Sequence, residues 1–64
     1  MIKSQIVRAV KAGFKVHFKS EAYEVQLINN DMYVVCVDNG FKSPLLDANN
    51  ELIENMHDFY MAKF

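Results

Sequence analysis

The chain is predicted to be a small α+β domain, a three-stranded antiparallel meander flanked by a short N-terminal and a longer C-terminal helix (α-β-β-β-α), with room for a fourth strandlet at 41–43. Three observations predict it. Apolar residues recur at helical spacing over residues 2–10, alternate with polar ones from Phe14 to Ile28, and recur at helical spacing again after residue 50. At 64 residues the chain supports one compact domain, 1–64.

The first helix rests on the row Ile2, Ile6 and Val10, with Ser4 as a capping residue and Gly13 as the residue that ends it in a left-handed conformation. The period then changes to two. Phe14, Val16 and Phe18 face one way and Lys15, His17 and Lys19 the other. The run "YEVQLI" alternates too, with Tyr23, Val25 and Leu27 on its apolar side. A loop at Ser20 and Glu21 sets Phe18 opposite Tyr23, Val16 opposite Val25 and Phe14 opposite Leu27. The same register sets His17 opposite Glu24 and Lys15 opposite Gln26.

"MYVVCV" supplies the third strand after the turn residues "NND". A loop at Asn30-Asp31 pairs Leu27 with Val34 and Val25 with Cys36. Asp38-Asn39-Gly40 is a stronger turn signal, able to return Phe41–Ser43 along the third strand. Ser43-Pro44 resembles a helix start, and Asp47, Asn49 or Asn50 offers a later one. For the final helix, Leu52, Met56, Phe59 and Lys63 form one ridge and Ile53, Tyr60 and Phe64 its neighbour. Glu51, Glu54 and Asp58 lie on other sides, with acids near the start to suit the helix dipole.

No run approaches the ~20 apolar residues needed to cross a bilayer, and Gln5, Arg8 and Lys11 interrupt any secretory core near the N-terminus. The single cysteine, Cys36, cannot close an internal disulfide, so a reducing, cytoplasmic setting is expected. The net charge of −1 conceals an asymmetry: residues 1–20 carry a formal +5 with no acid, and residues 21–64 a formal −6.

The third strand is apolar on both sides. With Val34 and Cys36 in the core, Tyr33, Val35 and Val37 face away, and Ile28 lies opposite Tyr33 on that second face. Either a helix covers the face or a partner does. The expectation is a partner surface made of Ile28, Tyr33, Val35 and Val37, met by a larger protein or a second copy of the chain. Function is accordingly expected to be that of a protein-interaction module, adaptor or inhibitor.

The alternative use is nucleic-acid binding by Arg8, Lys11, Lys15 and Lys19, since phosphate contact needs several cations on one side. Tyr33 would be the base-stacking candidate on that face.

No enzymatic constellation is read. His17 and His57 lie far apart with no cysteine pair or HExxH arrangement, so no metal site is expected. Cys36 sits among valines and is expected to be an inert core residue. No glycine-rich phosphate loop is present, and no cofactor is expected. Nor is a membrane partner.

Overall fold

The computed structural model describes residues 1–62. Its architecture is one N-terminal helix and a five-stranded antiparallel sheet. This corrects the expected pair of helices around a three-stranded meander. The helix α1 (Lys3–Lys11) is followed by β1 (Val16–Phe18), β2 (Ser20–Ile28), β3 (Asp31–Cys36), β4 (Lys42–Pro44), a 3-10 turn (Met56–Asp58) and β5 (Phe59–Met61). The sheet order is β4-β3-β2-β1-β5. The chain thus meanders through four strands, crosses the core face, and inserts its last strand beside the first.

The start of α1 is set by Ile2, whose backbone N–H donates to Gln5 Oε1 at 3.1 Å. Ser4 lies inside the helix instead of capping it. The helix ends in a Schellman motif: Gly13 N–H donates to Val10 O and Phe14 N–H to Ala9 O. Gly13 supplies the left-handed backbone that this ending requires, at φ +92°. Phe14 is thereby committed to the helix ending, so β1 begins only at Val16 and the expected Phe14–Leu27 pairing does not form.

The β1–β2 hairpin keeps the expected pair His17↔Glu24 but departs from it at Phe18, which pairs with Ser20 across a bulge. Lys19 alone forms the turn, at φ +63°. In the β2–β3 hairpin, Asn29 and Asn30 form a two-residue turn with both φ values positive, 51° and 70°. The register is therefore Val25↔Val34, Gln26↔Tyr33 and Leu27↔Met32, two residues away from the expected one. A shift of two preserves every residue's face. Ile28 pairs with Asp31, and Tyr33 is its diagonal neighbour.

β4 occupies Lys42–Pro44 and pairs with β3, so Ser43-Pro44 starts no helix. Asp47 also starts none. Its Oδ1 accepts from Asn49 N–H and Glu51 N–H, and its own N–H donates to Glu51 O. These bonds close a small loop bridged by Leu46 and Leu52. The side-chain chemistry that caps a helix also makes Asx turns, and here the turn prevails.

The expected C-terminal helix is replaced by the 3-10 turn and β5. Asn55 Oδ1 accepts from His57 N–H to begin the turn. Phe59 then pairs with Phe18, Tyr60 with His17, and Met61 with Val16. All three residues of β1 are buried, and without β5 the buried strand would present an unpaired backbone edge. Pairing that edge while placing the Phe59 ring 4.9 Å from that of Phe18 outweighs the local helical spacing. Lys63 and Phe64, placed in the expected helix, lie outside the described residues.

The core lies on one side of the sheet. Ile6 and Ala9 of α1 pack with Val16, Phe18, Val25, Met32, Val34, Leu45 and Phe59, with Leu46 and Leu52 against them. Helix and crossover loop thus share a single layer.

Candidate functional site

The second sheet face has no helix or loop layer among the described residues, because α1 and the 45–52 loop both pack on the core side. Across this face, Lys42, Val35, Glu24, His17 and Tyr60 form a row set by successive strand pairings. Pro44, Tyr33 and Gln26 form the row beside it. The anticipated contact residues Val37, Val35, Tyr33 and Ile28 follow one another along the β2–β3 hairpin on this face.

Their accessibility differs. Val37 is 48% exposed, Tyr33 and Ile28 are half-buried, and Val35 is only 6% exposed. Val35 is flanked in register by Glu24 and Lys42, whose methylene stems can shield an apolar neighbour while their charges stay in water. Val35 therefore contributes to the fold of the isolated chain, and Val37 and Tyr33 are the accessible members of the stripe.

His17 is buried on the same face, at 7% exposure. Its Nδ1 lies 3.1 Å from Tyr23 O, and a carbonyl only accepts, so Nδ1 carries the hydrogen. The backbone explains the contact. Val37 N–H donates to Ala22 O, and alternation along the ladder then aims the Tyr23 carbonyl at β1. The bulge removes the backbone partner there, and the imidazole replaces it. The ring also lies 5.5 Å from that of Tyr60, tilted by 39°. This histidine is committed to the sheet.

The four basic candidates do not share one patch. Lys15 lies 4.0 Å from Glu24 across the strand pair. Lys19 turns to the other side, its Nζ 5.3 Å from the centre of the Phe18 ring. Arg8 and Lys11 border different hollows on opposite flanks of α1. Tyr33 shares the second face with Lys15 alone among these cations.

Cys36 is half-buried and lies on the core side of β3, in a shallow hollow that Phe41 and Ile53 also line. No group of three or more potential metal-ligating side chains occurs among the described residues. No helix among them is long and apolar enough to cross a membrane.

A feature absent from the sequence reading is an open groove of about 630 Å³ between α1 and β5. Its lining includes Met1, Gln5, Arg8, Ala12, Phe14 and Met61. No local signal announces it, because one wall exists only once Phe59–Met61 becomes a strand beside β1.

No family model matches the chain, and neither does any curated protein or solved structure.

Proposed function

We propose that the chain is a protein-interaction module, an adaptor or inhibitor, which meets a larger protein or a second copy through the uncovered sheet face around Tyr33 and Val37. The observation that carries this reading is the distribution of apolar surface. Ten large hydrophobic side chains are exposed among the described residues, as many as the ten residues of the buried apolar core. Scattered exposed apolar groups are ordinary, and only Val37 and Tyr60 of the ten lie on the uncovered face. Together with the half-buried Tyr33 and Ile28, however, they place four apolar side chains on a layerless sheet face, which favours a contact surface.

The β4 edge of the sheet is only three residues long and partly blunted by a proline, which favours contact through the face. Cys36 N–H donates to Phe41 O and Leu45 N–H to Met32 O, so the backbone groups of Lys42 and Pro44 point away from β3. Proline has no N–H to offer an added strand. Nucleic-acid binding has less support, because Arg8, Lys11, Lys15 and Lys19 are dispersed.

The test replaces Tyr33 and Val37 with glutamate and measures assembly by sedimentation velocity and native mass spectrometry. The double variant is expected to lose self-association or a co-purifying protein while keeping the far-UV spectrum of the parent. Assembly that survives both substitutions, or a parent that never assembles with anything, rejects the reading.

A further inference from the structure

We propose that the groove between α1 and β5 seats an acidic amphipathic helix of a partner protein, whose carboxylate pairs with Arg8. This site meets the sheet face at Tyr60, which borders both, but it is built on α1 and does not depend on the reading of that face.

One wall is a single face of α1. Gln5, Arg8, Ala9 and Ala12 follow the i, i+3, i+4, i+7 spacing that lines up residues on a helix. The other wall is β5, with Phe59, Tyr60 and Met61. The two alanines keep the helix wall low. The volume of about 630 Å³ is that of an ordinary ligand pocket. An apolar side chain from a partner has room there.

Charge selects the partner. Among the described residues Arg8 is the only charged side chain lining the groove, with the N-terminal ammonium of Met1 adding a second positive charge at its edge. The opposite flank of α1 differs. Lys3 and Lys11 there border a hollow with Asp31, and Lys3 Nζ donates to Asn50 O. Asp47 lines the adjoining hollow beside Asp31. Asp31 and Asp47 thus lie on the Lys3 and Lys11 side, while no acidic side chain among the described residues lines the groove beside Arg8. Like those lysines, Arg8 has no ion-pair partner among the described residues. A carboxylate on the incoming segment would supply it, and a guanidinium binds a carboxylate in a geometry that lysine lacks.

Backbone geometry selects a helix over a strand. Ala62 N–H donates to Lys15 O and Lys19 N–H to Asp58 O, so Phe59 and Met61 sit at positions whose backbone groups point away from β1. Phe59 has already used its own. Its N–H donates to Met56 O, and its carbonyl accepts from the Met1 amino group at 3.4 Å. Among the residues of β5, only Met61 is left to bond an added strand. A helix satisfies its own backbone and docks by side chains, so it loses nothing at this edge.

The test is a selection from a displayed library of amphipathic helices, with net charge left free to vary, against the intact chain. Arg8→Glu and Ala12→Trp serve as comparison targets. Both positions are exposed, and thermal melts check that the variants fold. The proposal expects net-acidic helices to be enriched. Their binding should weaken at least tenfold for Arg8→Glu, fall with added salt, and be blocked by Ala12→Trp. Amide shifts in the unmodified chain should centre on Gln5, Arg8, Ala12 and Met61, a readout that survives even if a variant unfolds. Failure to enrich acidic helices overturns the proposal, as does binding indifferent to Arg8→Glu. Shifts centred on Tyr33 and Val37 overturn it too while leaving the sheet-face reading intact.

Discussion

Truncating Phe59 to alanine separates the strand β5 from a C-terminal helix, provided Met56 is truncated in parallel. In the structure Phe59 is 3% exposed, sits opposite Phe18 in the ladder, and has its ring 4.9 Å away. Phenylalanine-to-alanine changes at such sites cost about 3–5 kcal/mol. Total stability for a domain of this size is on the order of 3–10 kcal/mol. Phe59→Ala is therefore expected to remove a third or more of the total stability. Met56 lies in the 3-10 turn at 41% exposure, so Met56→Ala should cost about 1 kcal/mol or less. On a helix carrying Leu52, Met56 and Phe59 along one ridge, both residues would face the core and both truncations would be severe. Urea melts followed by far-UV circular dichroism provide the comparison, with midpoint shifts read at constant m. Equal losses from the two substitutions would refute β5 as described.

Other consequences follow from the turns and from the buried histidine. Gly13→Ala is expected to cost about 1–2 kcal/mol in the same melts, from backbone strain alone, because φ is +92° and no atom lies within 4 Å of the added Cβ. Asn30→Gly should be neutral or stabilising by a few tenths of a kcal/mol, and Asn30→Val destabilising by about 1–2 kcal/mol, since φ there is 70°. His17→Phe keeps a ring beside Tyr60 but strands the Tyr23 carbonyl, with an expected loss of about 1–3 kcal/mol in thermal or urea unfolding. Fluorescent single- and double-stranded oligonucleotides, followed by anisotropy, should show no tight binding at physiological salt. Micromolar or tighter binding lost on Lys15→Glu with Lys19→Glu would revive the nucleic-acid reading.

The helix α1 was legible because its stripe and its terminating glycine are local. Gly13 marks the end directly, but its consequence for Phe14 was not visible. The Schellman motif consumes that residue's N–H, and alternation alone made Phe14 part of a strand. The β2–β3 register was misplaced by two residues because Asn29-Asn30 and Asn30-Asp31 are both plausible turn pairs in "NND". The face assignment survived, since parity is insensitive to a shift of two.

β5 was not legible, for a physical reason. Three residues, Phe59–Met61, are too few to display a period of two, while the apolar spacing from Leu52 onward fits a helix. What decides the conformation is the unpaired edge of β1, some forty residues earlier in the chain. Propensity is a weak prior against such a distant partner. The uncovered sheet face could be anticipated from the doubly apolar third strand. The burial of Val35 and His17 on that face could not, because it depends on register across several strands.

Photo-crosslinking from position 33 tests the central claim most directly. Tyr33 is replaced by p-benzoylphenylalanine, with the same group at the exposed turn residue Asn49 as control, and both chains are irradiated inside cells that express them. The account predicts a discrete protein adduct from position 33 that position 49 does not form, its mass reporting a second copy or a larger partner. Adducts to nucleic acid alone, equal adducts from both positions, or none from position 33 would contradict it.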